Sequence, residues 1–134
     1  TLCVSAEAVG CMESCYLKTV EYTKGREQFG QPISNFQVLQ HRMVDMFIES
    51  ELAKSLLFKA MLEVDTNSDN KFKHVSALKS QIGRTGKFSA QQAVQLHGGM
   101  GVSEEMMIGH YLKKMVYIDA LFGNSDYHSK KFAS

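Results

Sequence analysis

Two stretches of this chain gather residue types that helix packing alone does not call for. The first is Arg26-Glu27-Gln28-Phe29-Gly30-Gln31-Pro32-Ile33, with Phe36-Gln37 just beyond it. A guanidinium pairs with phosphate oxygens, and free backbone amides at a helix start favour an anion. An arginine, a phenylalanine and amide side chains beside a helix start therefore suit a phosphate and a flat ring system. The second stretch is Gln95-Leu96-His97-Gly98-Gly99-Met100-Gly101. Its glycines let a backbone approach a ligand without interference from a Cβ. Taken alone, it reads as a turn that ends a helix.

Metal chemistry has less support. None of His41, His74, His97, His110 and His128 has a glutamate three residues before it, and His-Glu-x-x-His does not occur. The spacings of a di-iron bundle or a zinc protease are therefore missing. Cys11 and Cys15 lie one helical turn apart, but a metal would need two further ligands. On an apolar stripe these thiols read as small core hydrophobes. The eight methionines fall mostly on core stripes too, which packing explains.

The elements that must hold these segments are helices. Apolar residues recur in steps of three and four, proline occurs once, and no long stretch alternates with period two, so the domain reads as all-α. A first helix from Leu2 to about Lys24 carries two stripes. One is Leu2, Ala6, Val9, Met12, Tyr16 and Val20; the other is Val4, Ala8, Cys11, Cys15 and Tyr22. So wide an apolar arc predicts two packing neighbours and surplus surface for self-association. Ser34-Asn35-Phe36-Gln37 fits a capping box opening a second helix. Its apolar series is Phe36, Leu39, Met43, Met46, Ala53, Leu57, Ala60 and Val64, interrupted at Ser50 and ended by Thr66 to Asn70. A third helix, Lys71 to Leu96, presents Val75, Leu78, Ile82 and Ala93. Gly83 and Gly86 within it point to close helix contact, since each costs about 1 kcal/mol relative to alanine.

Gly98 and Gly99 stop the third helix. Ser103 with Glu104 and Glu105 then caps a fourth, whose core face is Ile108, Tyr111, Met115, Ile118 and Phe122. Gly123 ends it, and Asn124-Ser125-Asp126 caps a short last helix carrying Tyr127 to Phe132. The expected fold is an antiparallel four-helix bundle with a short C-terminal helix.

Size and charge narrow the function. With 134 residues and 44% hydrophobic content, the chain is one domain with a real core. Fifteen Lys plus Arg against 14 Asp plus Glu leave a net charge of +1, which gives no reason to expect nucleic acid or an acidic membrane as partner. No apolar run reaches the ~20 residues of a bilayer span. Three cysteines cannot close a disulfide framework, and no leader pattern opens the sequence; a soluble protein of a reducing compartment, the cytoplasm, is expected.

The arginine-phenylalanine stretch, the Phe36-Gln37 of the next helix, and Gln-Leu-His-Gly-Gly-Met-Gly some sixty residues later resemble, in order and spacing, the C-terminal helical domain of the flavin-dependent acyl-CoA dehydrogenases. Glu104-Glu105 to Gly109-His110-Tyr111-Leu112-Lys113-Lys114 and Phe122-Gly123-Asn124-Ser125-Asp126 match family landmarks as well. Residues 1–134 look like that bundle alone, without the N-terminal helical and middle β-domains. The resemblance implies that Arg26 reaches the pyrophosphate of FAD across a dimer. Gln28 and Phe29 would line the adenosine end, supported by Phe36 and Gln37, while Gln95, Leu96, His97, Gly98 and Gly99 hold the ADP portion. Gly123 matches a glycine at the acyl-CoA thioester; Asn124, Ser125 and Asp126 match a stretch touching flavin of the same subunit.

The implied reaction, oxidation of the α,β bond of an acyl-CoA, needs a carboxylate to take the α-proton. Many members place it just before the glycine matched by Gly123, where this chain has Phe122. Phe122 alternatively continues the core stripe of the fourth helix. In other members the base comes from the first helix, at a position falling just before Thr1. Asp126 is a local candidate that also reads as an N-cap, and Glu7 reads as a solvated helix charge. The implied partners are an acyl-CoA substrate and further subunits, in a homodimer, a homotetramer or a heteromer. A non-catalytic assembly subunit, or a helical interaction domain without flavin, are the other readings.

Overall fold

A computed structural model of the chain describes residues 1–98 and 107–134. It contains five α-helices: α1 (Leu2–Gly25), α2 (Gln37–Asp65), α3 (Lys71–His97), α4 (Met107–Ala120) and α5 (Ser125–Ala133). Between α1 and α2 lie a hairpin, β1 (Glu27–Gln28) with β2 (Gln31–Pro32), and a 3-10 turn, Ile33–Asn35. The long helices form the expected bundle, with α5 packed against α3. The expected Gly99 stop and the Ser103, Glu104 and Glu105 start lie outside the described residues.

Helix α3 is the axis of the molecule and touches each of the other four helices. It can do so because its buried positions are small: Ser76, Ser80, Gly83, Gly86, Ser89, Ala90 and Ala93 lie among Leu78 and Ile82. A Cβ on Gly86 would fall 2.0 Å from the Met115 methyl, and one on Gly83 would fall 2.1 Å from an Asp119 carboxylate oxygen. The close contact expected at both glycines is present.

Three expectations change. The buried face of α1 is Ser5, Ala8, Val9, Met12, Cys15, Thr19 and Thr23, with Ala6 exposed, because small hydroxyl residues share the seam with apolar ones. Ser5 and Thr23 hydroxyls donate to the carbonyls of Thr1 and Thr19, which lets them be buried. Ser50 is buried and completes the α2 stripe, whereas Val64 is exposed. The capping box does not form. Pro32 launches the 3-10 turn, which takes up Ser34, and Phe36 becomes the N-cap of α2 without a side-chain cap.

Cys15 is buried, and burial pushes its thiol up to about 12. Cys11 is half-buried; burial, then the charge of Glu7, pushes its thiol up as well. Among the described residues, no three His, Cys, Asp or Glu side chains converge as a metal site. No helix is long and apolar enough to cross a membrane, again among the described residues.

Candidate functional site

The two chemistry-bearing segments meet at one end of the bundle. The Arg26 N–H donates to the Tyr22 carbonyl (3.0 Å) at the close of α1, and the Ile33 N–H donates back to the Arg26 carbonyl (2.8 Å). The hairpin is thereby folded against the helix end. Its tip is Phe29-Gly30, both with positive φ (54° and 77°), as a tight two-residue turn requires. Facing it, α3 ends at Gly98, whose φ of 59° and ψ of −139° suit glycine and strain any other residue. Between them opens a cleft of about 570 Å³ lined by Arg26, Gln28, Gln95, Leu96, His97 and Gly98, with Tyr22, Ile33 and Leu39 behind.

His97 is the cleft group held from beneath. His97 is buried, and its Nδ1 lies 2.8 Å from the Ala93 carbonyl, to which it donates. Burial pushes its imidazole down and leaves it neutral near pH 7. Tyr22 stacks on the ring at 4.2 Å between centroids, and its hydroxyl donates to the His97 carbonyl at 3.4 Å. Leu96 is buried and Gln95 exposed. Phe29, 91% exposed, meets Phe36 edge to face at 6.4 Å. Phe29, Phe36 and Gln37 flank the cleft without lining it. Gly99 lies outside the described residues.

The second expected site is the corner between α4 and α5. Helix α4 ends at Ala120, and the chain reverses through Phe122 and Gly123 with φ of 57° and 95°. Phe122 is 62% exposed, so it does not continue the Ile108, Met115, Ile118 core stripe: the left-handed turn swings it out of register. Asn124 is the N-cap of α5, its Oδ1 accepting the Tyr127 N–H at 2.9 Å. Asp126 is exposed in the first turn of α5 and does not cap it; Ser125 is buried. The Tyr127 ring lies so close to Gly123 that a Cβ there would meet it at 2.4 Å.

Residues that the sequence did not single out fasten this corner. Lys79, on α3, is 0% exposed and donates through Nζ to the carbonyls of Gly123 (2.7 Å) and Asp119 (3.0 Å). Burial pushes its ammonium down, Asp119 pulls it back up, and Lys87 adds to the depression. His128 is buried on α5; its Nε2 lies 2.9 Å from the Phe122 carbonyl and its Nδ1 3.2 Å from the Ser76 hydroxyl. The carbonyl can only accept, so Nε2 carries the proton and Nδ1 accepts from Ser76. One Asp119 oxygen accepts the Ser125 N–H at 3.0 Å, and the other pairs with Lys87 at 2.8 Å. Glu7 pairs across the surface with Lys114 at 2.6 Å.

Residues 2–133 match the family described as acyl-CoA dehydrogenase, C-terminal domain. The chain belongs to the acyl-CoA dehydrogenase family. A probable acyl-CoA dehydrogenase of Bacillus subtilis is 32% identical over 123 residues, which is 92% of this chain and 32% of that protein. Butyryl-CoA dehydrogenase from Megasphaera elsdenii superposes with a TM-score of 0.94 at 26% identity, over 98% of this chain and 34% of that one. PigA, in a structure with FAD and proline, gives 0.93 at 28% identity, over 98% and 34%. This acyl-CoA dehydrogenase domain thus spans about a third of the length of the relatives it matches. Lys79 escaped notice in its sequence because lysine on a helix is ordinarily solvated; its one signal is its place beside Leu78 and Ile82.

Proposed function

We propose that the chain is the C-terminal bundle of a flavin-dependent enzyme that oxidises the α,β bond of an acyl-CoA thioester, working beside an N-terminal helical domain and a middle β-domain. The observation that carries this reading is the convergence of Arg26 and Gln28 with Gln95, Leu96, His97 and Gly98 on one cleft. Its donor set fits FAD: a guanidinium for the pyrophosphate, side-chain amides for sugar and base, and a glycine backbone that permits close approach. In this reading Arg26 holds the pyrophosphate, Gln28 and Phe29 the adenosine with Phe36 and Gln37 behind them, and Gln95 to Gly99 the ADP portion. When bound, FAD supplies a hydride acceptor.

The corner serves the substrate. Gly123 lies against the thioester, and Asn124, Ser125 and Asp126 face flavin. Lys79 and His97 are 18 positions apart on α3, or about 27 Å along its axis. In this reading cleft and corner face different flavins, in a dimer whose subunits exchange contacts. Surplus apolar surface for assembly as a homodimer or homotetramer lies on α2, at Val44, Phe47, Ile48, Leu52, Phe58 and Met61, rather than on α1.

The base is not at position 122, where the side chain is a phenyl ring. Glu7 is tied to Lys114, and Asp126 lies exposed in the first turn of α5. The reading places the carboxylate just before Thr1. The test is anaerobic addition of butyryl-, octanoyl- or palmitoyl-CoA to the flavin-loaded holoenzyme. Bleaching of the flavin is expected, and no bleaching with any of the three would overturn the reading.

A further inference from the structure

The turn at Phe122-Gly123 is expensive to hold. A bulky residue rarely adopts φ near 57°, and strain of this kind persists only where the surroundings enforce it. Here two buried donors from different helices enforce it. Lys79 takes the carbonyls of Gly123 and Asp119, and His128 takes the carbonyl of Phe122, which lies between them. A helix end does not need this arrangement. Any C-terminal lysine at the surface would satisfy the last carbonyls of α4, without the desolvation of a fully buried ammonium.

The two donors fix peptide planes. All peptide bonds here are trans, so each N–H points opposite to the carbonyl of its own peptide. With the Phe122 carbonyl drawn in to His128, the Gly123 N–H faces away from that ring. With the Gly123 carbonyl drawn in to Lys79, the Asn124 N–H is fixed likewise. Support reaches a further shell. Ser76 donates to His128 Nδ1 and so keeps the proton on Nε2, while Asp119 accepts the Ser125 N–H and offsets the Lys79 charge.

We propose that Lys79 and His128 are positioning residues for the acyl thioester. They hold the Phe122-Gly123 turn in the one backbone conformation that receives it. The proposal rests on the reading of Gly123 as the thioester contact, and its test separates the two.

In the flavin-loaded holoenzyme, the Kd of butyryl-, octanoyl- and palmitoyl-CoA is measured by calorimetry for Lys79→Met, His128→Leu, His128→Gln and Gly123→Val, with flavin content and Tm recorded for each. Gly123→Val tests the underlying reading: unchanged affinity, or no binding to the unaltered enzyme, overturns that reading and the proposal with it. If Gly123→Val weakens binding, Lys79→Met and His128→Leu are each expected to weaken it about ten-fold or more, the scale of a lost charged or buried hydrogen bond. Affinities are compared on the flavin-loaded fraction of each variant, because Asn124 to Asp126 at the same corner face flavin in this reading. His128→Gln, whose amide reproduces the Nε2 donor, should bind within about three-fold of the unaltered enzyme. Unaltered affinity in His128→Leu, or His128→Gln as impaired as His128→Leu, overturns the clamp alone. The histidine pair decides the matter if Lys79→Met does not fold.

Discussion

The Asp119 carboxylate occupies the space that a side chain on Gly83 would need, with one oxygen 2.1 Å from where a Cβ would stand. That oxygen accepts the Ser125 N–H, and its twin pairs with Lys87. A missing methyl on α3 thus gives the carboxylate access to the corner between α4 and α5.

Gly83→Ala should therefore destabilise the domain. Alanine in mid-helix ordinarily gains about 0.5–1 kcal/mol over glycine. Here overpacking costs about 1–3 kcal/mol and displaces a carboxylate with two partners, so the net effect is a loss. Urea unfolding of the domain checks it: a midpoint at or above that of the unaltered chain would show that the corner yields.

Arg26→Ala in the holoenzyme is expected to weaken FAD retention about ten- to hundred-fold, because a charge-assisted contact to the pyrophosphate is lost. Arg26 is exposed, so thermal stability of the flavin-free protein should hold. The isolated domain should purify colourless, since it supplies only part of each binding cleft. Flavin titration followed by fluorescence reads both.

Acid should loosen the fold as two buried imidazoles take up protons. Burial depresses the imidazole of His97 despite its Ala93 bond; it also depresses His128 despite its Phe122 bond, with the charges of Lys79 and Lys131 adding to the effect. Each ring then takes up protons more readily unfolded than folded, so stability is fully present above the unfolded value near 6.5 and is lost as pH falls through the lower folded value. Unfolding free energy should decline as pH falls below about 6.5, above the range of Glu63, whose carboxyl is lowered first by its bond to Lys59. A His128→Gln domain should show a shallower decline in the same urea series.

If the base comes from the position just before Thr1, as proposed, neutralising it should lower turnover about 10²–10⁴-fold, the usual worth of a positioned general base. Phe122→Glu in that background should restore part of it by placing a carboxylate at the exposed corner. Normal turnover after every acid near the start of α1 has been neutralised would redirect the search to Asp126. Stopped-flow measurement of flavin reduction distinguishes these outcomes from slow product release.

The helices were readable because apolar periodicity reports burial, and Met43, Met46, Ala53, Leu57 and Ala60 fall where their spacing puts them. Periodicity fails where polarity and burial part company. Ser50, Thr19 and Lys79 are as buried as their apolar neighbours, the lysine because backbone carbonyls some forty positions away complete its hydrogen bonds. It fails again at Phe122, since spacing assumes that a helix continues and a two-residue reversal of φ ends it early. The cleft was readable for another reason. Arg26, Gln28, Gln95 and Gly98 sit at helix ends, where local sequence breaks the pattern, and the meeting of those ends follows from the antiparallel bundle.

Cys15, whose thiol stays protonated up to about pH 12, gives the bundle an internal clock. Alkylating reagents attack thiolates, so at neutral pH this sulfur is silent while α1 is docked; Cys3, exposed on the same helix, stays open to reagent. The ratio of their labelling rates measures how often α1 lifts from α3. Any bound group or neighbouring domain that tightens the bundle will register as slower labelling of Cys15, whatever it does to catalysis.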